Sequence, residues 1–282
     1  MKIKKYYEHD MNTLDFKQFI NIAGFILLSL FVSIEFDKIV KELIEYGYCD
    51  SYGTFFDYLI YFFRGTYAYE LSASSYFVLP SYWFFFHSFL SYTIGFYPYE
   101  DFIQYGKLSV LYGKDRVGWW IAKILWQISL IMFNYIIVYG TIAGYTMYKH
   151  QEMLLSLTKD IWNNFSPEIL GTSKFEIIIG IVVLPILTSI TISIIQETLS
   201  FLSSPIISFL FVNTVLIISV YSKSYIWITN FTMWLRSSWV YDDGINSICA
   251  VFIDLILIIL FLKIGIETFK KIDIIDKGKI FE

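Results

Sequence analysis

Two apolar runs separated by a three-residue break decide the fold, and residues 175–221 read FEIIIGIVVLPILTSITISIIQETLSFLSSPIISFLFVNTVLIISVY. Each run approaches the ~20 apolar residues that a helix needs to cross a hydrocarbon core of ~30 Å. The break is only Ser203-Ser204-Pro205, and a proline suits the first turn of a new helix. The stretch therefore predicts a tight hairpin of two membrane-spanning helices.

The composition of the whole chain agrees with this prediction. Of the 282 residues, 56% are hydrophobic, 21% are aromatic and only 16% are charged, whereas an ordinary soluble domain has about 25% charged residues. The net charge of -4 gives no basic surface for nucleic acid. Cys49 and Cys249 form neither a metal-binding motif nor a disulfide framework. We therefore expect an integral membrane protein that binds no nucleic acid, and the composition excludes a typical soluble enzyme.

The chain contains six segments that are long and apolar enough to span a bilayer, and they predict an all-α protein with one transmembrane domain over residues 1–282. The predicted spans cover about residues 19–36, 76–96, 118–145, 175–201, 205–221 and 248–269. An even number of spans places both termini on one side. Lys and Arg are more numerous on that side, so the distribution of positive charge predicts that both termini are cytoplasmic.

Three long segments remain on the outer side, at residues 37–75, 146–174 and 222–247. All three are rich in Tyr, Phe and Trp. Aromatic rings favour the headgroup region of a membrane. We therefore expect interfacial or re-entrant helices in these segments.

Sequence motifs for catalysis are absent. The chain has no GxxxxGK[ST] phosphate loop, no HExxH and no GxSxG. We predict no catalytic residue, no cofactor and no metal site. Within the predicted spans, Glu197 and Asp254 are candidates for an ion or substrate pathway, because intramembrane charges are costly. The alternative is that both lie near a membrane surface, close to the ends of their helices.

The most distinctive stretch lies between the second and third spans, where residues 95–123 read GFYPYEDFIQYGKLSVLYGKDRVGWWIAK. Pro98 is well placed to begin a helix and Gly106 to end it. The two acidic residues of the first turn favour the positive end of the helix dipole. Phe102 and Tyr105 are predicted to share one face. The pattern indicates a short amphipathic helix on the cytoplasmic surface, suited either to docking on another protein or to lying at the interface.

A basic turn and a pair of tryptophans follow this helix. Arg116 belongs to the turn, and Trp119-Trp120 is predicted to anchor the foot of the third span at the interface. Lys123 lies one turn further on, and we expect it to extend its ammonium group back towards the headgroups.

The stretch resembles the permease subunits of ABC-2-type transporters from low-GC Gram-positive bacteria. These have a tyrosine-proline-acidic helix after the second span, then a Gly/Arg turn and a Trp-Trp-x-x-Lys foot. Residues 57–65, 77–83 and 264–274 resemble the outer segment, the start of the second span and the C-terminal end of such permeases. The resemblance covers about residues 55–274.

The resemblance implies a multi-pass subunit of the bacterial cytoplasmic membrane that works with separate proteins. A second permease copy, or a related chain, would complete the pathway. Two ABC ATP-binding subunits would bind ATP and Mg²⁺ and carry out hydrolysis. The implied contacts to such a subunit come from a coupling helix over residues 99–105, namely Tyr99, Glu100, Asp101, Phe102, Gln104 and Tyr105.

The resemblance also implies roles elsewhere in the chain. The first, second and fifth spans would line the pathway, and residues 222–247, with Trp227, Trp234 and Trp239, would gate it. The expected activity is ATP-driven export of a hydrophobic or amphipathic cargo such as a peptide or bacteriocin. Two alternatives stay open, a stand-alone secondary transporter or channel that uses Asp254 and Glu197, and a non-transporting membrane scaffold.

Overall fold

The structure is a computed structural model that describes residues 2–12, 16–67, 69, 78–165, 175, 178–240 and 243–272. These residues are mostly helical and contain no β-strand. Four of the helices are long and apolar enough to cross a membrane. This supports the prediction of an α-helical membrane protein.

The described helices are numbered here in chain order. In chain order they are α1 (Lys2–Asn12), α2 (Phe16–Glu45), α3 (Phe55–Phe63), α4 (Ser81–Gly95), α5 (Tyr97–Asp101), α6 (Lys107–Gly113), α7 (Arg116–Tyr148), α8 (Lys159–Phe165), α9 (Leu184–Leu202), α10 (Pro205–Tyr221) and α11 (Ser247–Lys271). A π-helical turn, Phe102–Gly106, joins α5 to α6, and another, Ile179–Val183, precedes α9. Two short 3₁₀ helices, Ile228–Thr232 and Trp234–Arg236, lie between α10 and α11.

The four membrane-length helices are α2, α7, α9 with its π-helical turn, and α11. The second and fifth predicted spans correspond to α4 and α10, which have 15 and 17 residues. Both are shorter than the ~20 residues of a full span. The predicted tight turn between two helices is confirmed, because α9 ends at Leu202 and α10 begins at Pro205. The Ser204 side chain caps α10 by accepting a hydrogen bond from the Ile207 amide at 3.3 Å.

One end of the bundle collects α1, the segment 97–113, the start of α7 and the last turns of α9 and α11. We call it the linker end. The Phe102 ring lies 5.5 Å from both Trp119 and Phe201 and 5.4 Å from Phe269, measured between ring centroids. The Lys2 ammonium of α1 donates a hydrogen bond to the Gly113 carbonyl of segment 97–113 at 2.8 Å, so α1 and the last turn of α11 lie at the same end of the bundle.

The opposite end contains α3, α8, the 3₁₀ helices and the end of α7, and we call it the cap end. Its centre is the buried carboxylate of Asp57, which accepts hydrogen bonds from Thr54 just before α3, from Thr158 just before α8 and from Trp162 of α8. The donors are the Thr54 amide at 2.7 Å, the Thr158 hydroxyl at 2.6 Å and the Trp162 indole at 2.8 Å. One acidic side chain thus ties α3 to α8.

The aromatic residues of α3, in the first predicted outer segment, pack inside the protein. Residues 56–63 are all buried. The Phe63 ring packs 5.6 Å from Phe86 of α4 and 5.9 Å from Tyr135 of α7. Because neighbouring helices cover these rings, α3 is part of the protein core at the cap end.

Arg236 is a second buried charged residue at the cap end. From the sequence it was only one of the positive charges of the outer segments. Its guanidinium donates to the carbonyls of Ser219, Val220 and Thr66, the last two at 2.6 and 3.1 Å. It also donates to the side chain of Asn230. A cation at a helix C-terminus is favourable, so Arg236 caps α10. An arginine within the aromatic stretch 225–240 was the signal available in the sequence.

Parts of the predicted outer segments and spans lie outside the described residues. These parts are residues 68, 70–77, 166–174, 176–177, 241–242 and 273–274.

Candidate functional site around Lys123

The segment between α4 and α7 is one continuous helix over residues 97–113, which we call the linker helix. Pro98 lies in its first turn. It ends where Lys114 adopts a left-handed conformation with φ of 49° and its amide donates to the Val110 carbonyl at 2.9 Å. The prediction that Gly106 ends the helix is wrong. A Cβ at Gly106 would lie 3.0 Å from the Trp119 ring, so glycine there permits close packing instead of a stop.

The π-helical turn in the linker helix separates two residues that were predicted to share a face. Phe102 is 2% exposed, whereas Tyr105 is 64% exposed. A π-helical turn shifts the register of the residues within it. Phe102 therefore joins the core of the linker end, and Tyr105 projects from the surface.

The tryptophan pair at the foot of α7 is buried, which corrects its predicted role as an interfacial anchor. The Trp119 ring stacks on Phe269 with centroids 4.9 Å apart, and Trp120 lies 5.3 Å from Phe201. The linker helix and the last turns of α9 and α11 cover both indoles. Burial of these two large rings stabilises the core of the linker end.

Lys123 is also buried, so the prediction that it extends to the headgroups is wrong. Its Nζ lies 2.5 Å from Asp10 Oδ1 and 2.6 Å from Asp101 Oδ2. The same ammonium lies 5.0 Å from the ring centroids of Tyr97 and Trp119. One lysine of α7 thus joins α1 and the linker helix to the bundle.

Helix α1 was not predicted from the sequence, yet it supplies half of this contact. Tyr97 donates a hydrogen bond to Asp10 at 3.0 Å. The Lys2 ammonium donates to the Gly113 carbonyl at 2.8 Å, and the Tyr6 hydroxyl donates to Ser109 at 3.3 Å. The helical spacing of Tyr6, Tyr7, Asp10 and Met11 was the available signal, because these positions share one face.

The electrostatics around Lys123 favour an ammonium over a metal ion. Burial raises the pKa of Asp10 above its usual value, and the Lys123 charge opposes that shift. Among the described residues, His9, Asp10 and Asp101 offer ligand atoms within 4.8 Å of one another. Because the Lys123 ammonium already lies between the two carboxylates, it holds the position that a cation would take.

Arg116, the other predicted residue of the α7 foot, acts on α11. Its guanidinium donates to the carbonyls of Lys270 at 2.6 Å and Ile272 at 2.8 Å. It therefore caps the C-terminus of α11, where a positive charge is favourable.

The six residues of the predicted coupling helix fall on two sides of the linker helix. Tyr99, Asp101 and Phe102 face the protein and are buried, whereas Glu100, Gln104 and Tyr105 are exposed. The exposed side also carries four apolar or aromatic residues, namely Ile103, Leu108, Leu111 and Tyr112. This side is an apolar and aromatic surface about four turns long with one exposed acid, Glu100, and it is supported from behind by the bundle.

Glu197 and Asp254 are buried inside the protein, Glu197 five residues before the end of α9 and Asp254 seven residues after the start of α11. Both are 0% exposed. Asp254 accepts a hydrogen bond from Thr188 at 2.7 Å. Glu197, on α9, lies within electrostatic range of Lys123 of α7. Thr188, the partner of Asp254, lies nine residues before Glu197 on α9, so the two acids lie at different levels of the bundle.

Comparison of the chain with protein-family models, with curated proteins and with solved structures gives no match.

Proposed function

We propose that the chain is the membrane-spanning permease subunit of an ATP-driven transporter of the ABC-2 type. The observation that carries the proposal is the linker helix, which has one side fixed to the bundle through Lys123 and the other side exposed. A rigid helix with exposed apolar and aromatic residues suits a groove on another protein. The same segment, 97–123, carries the best part of the family resemblance.

The proposed topology has six spans and cytoplasmic termini. It treats α4 and α10 as short spans beside the four membrane-length helices. Six crossings require both termini on one side, and α1 does lie at the same end as the last turn of α11. The proposed cytoplasmic face is then the linker end, where Lys2, Lys4, Lys5, Lys270 and Lys271 also lie.

In the proposed assembly, a P-loop ATP-binding subunit docks on the exposed side of the linker helix. Glu100, Gln104 and Tyr105 would make the contact. Tyr99, Asp101 and Phe102, which the resemblance also assigned to the partner, would instead transmit movement, because they pack inward. A push on the linker helix would reach α7 through Lys123 and reach α9 and α11 through Phe201 and Phe269.

The proposed cargo is hydrophobic or amphipathic, such as a peptide or bacteriocin, and a second permease copy or a related chain would complete the pathway. Support comes from the apolar, weakly charged spans. ATP and Mg²⁺ would be bound by the partner subunit, and this chain would need no cofactor of its own.

A photocrosslinking amino acid placed at Tyr105 tests the docking side in the intact membrane of the host. Tyr46 is the matched control, because it is also an exposed tyrosine but lies after α2 towards the cap end. We expect a crosslink from position 105 to a P-loop ATPase, identified by mass spectrometry, and none from position 46. Crosslinks to lipid alone from position 105 would contradict the proposal.

Substitution of Phe102 is not a test of docking. Its ring is buried among Trp119, Phe201 and Phe269, so Phe102→Ala is expected to cost about 3–5 kcal/mol of stability. A loss of activity in that variant would report unfolding and not a lost partner.

A second candidate function is a stand-alone secondary transporter or channel. The burial of Glu197 and Asp254 favours it, because buried intramembrane acids often mark ion pathways. Glu197→Gln with Asp254→Asn separates the two functions. The double variant should abolish transport by a stand-alone carrier, whereas an ATP-driven permease should retain transport that depends on its ATPase.

A further inference from the structure

Glu197 is a buried acid without a hydrogen-bond partner. It lies on α9 near the linker end and is 0% exposed. Within the described part of the chain, neither of its carboxylate oxygens has a hydrogen-bond partner. Asp254 differs, because one of its oxygens accepts a hydrogen bond from Thr188. Glu197 is thus a polar group that folding has placed in the interior with nothing to neutralise it directly.

The charged groups in electrostatic range of Glu197 are Lys123 of α7 and Asp10 of α1. The Lys123 ammonium is already bound by Asp10 and Asp101, at 2.5 and 2.6 Å. Three buried carboxylates therefore share one buried ammonium. If all three were ionised, the single positive charge of Lys123 would balance only one of the three negative charges.

The other helices that pack against α9 bring no further charge to this place. From α4 comes Ser91, which bonds to the neighbouring Gln196, and from α10 comes Ser208, which bonds to Ser200. On α11, Lys263 and Glu267 are exposed, and Gly265 packs against Trp120 and Thr198. Tyr99 of the linker helix packs 5.4 Å from Phe201 and is the remaining titratable group on this side.

An ionised carboxylate with neither hydrogen bonds nor a committed counter-ion is far less stable in a protein interior than the neutral acid. We propose that Glu197 is a proton-binding site, which holds a proton while Lys123 is paired with Asp10 and Asp101. The ligand is a single proton on one carboxylate oxygen. The proposal does not depend on what the chain transports.

This arrangement ties the proton to the position of the linker helix. Asp101 belongs to the linker helix, so a displacement of that helix removes one of the two carboxylates that hold Lys123. The released ammonium then has Glu197 as the nearby acid without a partner. Pairing of Lys123 with Glu197 ionises the acid, and its proton passes to water.

Infrared spectroscopy of the purified full-length chain in lipid nanodiscs tests the proposal directly. A protonated carboxyl group has a C=O stretching band that an ionised carboxylate lacks, and ¹³C-labelled glutamate separates Glu bands from Asp bands. We expect one such glutamate band at neutral pH and its complete loss in Glu197→Gln. Asp254→Asn is the control, which should leave the glutamate band unchanged.

A second variant tests the role of Lys123. In the double variant Asp10→Asn with Asp101→Asn, Lys123 loses both of its carboxylates and is expected to pair with Glu197. The glutamate band should then disappear although Glu197 is still present. The proposal is overturned if Glu197→Gln leaves the band of the wild-type chain intact, if the proton band follows Asp10 instead, or if the band persists in a folded double variant. Should the double variant fail to fold, the near-isosteric Glu197→Gln still decides the question.

Discussion

The two ends of α7 bury charge in different ways. This helix has 33 residues and is therefore about 50 Å long. At the cap end, Asp57 accepts hydrogen bonds from Thr158 and Trp162, and Arg236 donates to backbone carbonyls. The buried Asp37 at this end pairs with two lysines that are more exposed, Lys41 at 3.0 Å and Lys149 at 3.4 Å. At the linker end, Lys123 is held by two carboxylates, and a further acid, Glu197, lies in range.

The difference indicates which end can rearrange. The partners of Asp57 and Arg236 are backbone groups and the side chains of Thr54, Thr158, Trp162 and Asn230, which belong to helices or to the segments next to them. At the linker end, the Lys123 ammonium can exchange one carboxylate partner for another. The free-energy cost is modest because a new ion pair replaces the old one. We therefore expect the cap end to be a rigid platform and the linker end to be the site of movement.

The largest effect is expected from Asp57→Asn at the cap end. The amide would leave at least two of the donors around Asp57 without an acceptor, and the expected loss is about 4 kcal/mol of unfolding free energy. Denaturant titration of the purified chain in detergent measures it. Asp160→Asn, an exposed acid on α8, is the control and should change stability by less than ~0.5 kcal/mol. Equal effects of the two variants would contradict the role of Asp57.

The two arginines that cap helices compare the ends directly. Arg236→Met leaves buried carbonyls such as that of Val220 without donors, and we expect a loss of about 3 kcal/mol. Arg116→Met at the linker end removes a partly exposed cap of α11, and the expected loss is about 0.5–1 kcal/mol. Thermal unfolding of both variants measures the ranking. A larger loss for Arg116→Met would reverse the comparison.

Two neighbouring acids of the linker helix separate buried from exposed charge. Asp101→Asn leaves Lys123 with Asp10 alone, and we expect a loss of about 2 kcal/mol. Glu100→Gln changes an exposed side chain and should cost less than ~0.5 kcal/mol. Unfolding in detergent again gives both values. If the two variants were equally stable, Lys123 would not hold the linker helix in place.

The smallest effect on stability is expected from Tyr105→Ala, because its ring is exposed and covers no core residue. The expected change is below ~0.5 kcal/mol. The same variant should nevertheless reduce the ATPase activity that co-purifies with the chain, because Tyr105 lies on the proposed docking side. Unchanged ATPase activity in a folded Tyr105→Ala variant would place the docking surface elsewhere.

The parts of the fold that the sequence predicted correctly depend on local patterns. The hairpin at residues 203–205 needed only two apolar runs and a proline between them. A helix between the second and third spans needed only Pro98 and the acidic residues of the first turn. Its end was predicted at Gly106 and observed after Gly113, because the close approach of Trp119 to Gly106 is a tertiary contact that the local sequence does not contain.

The parts that were wrong or missed depend on partners distant in the chain. Lys123 pairs with Asp10, which lies 113 positions earlier in the chain. Patterns within one helical turn could not reveal this pair, and they suggested only that the Lys123 side chain extends to the membrane surface. The carbonyls that accept hydrogen bonds from Arg236 come from the C-terminal end of α10 and from the segment after α3. Which charge a fold buries depends on how its helices meet, and apolar periodicity carries little of that information.

The central claim, that the exposed side of the linker helix binds a separate ATPase, is tested most directly by purification of the chain from its own host in a mild detergent after crosslinking. The account predicts that mass spectrometry finds a P-loop ATP-binding subunit in stoichiometric amount with the wild-type chain. A preparation that contains no such subunit, in repeated experiments with and without crosslinker, would contradict the account and would make Glu197 and Asp254 the first residues to test for transport.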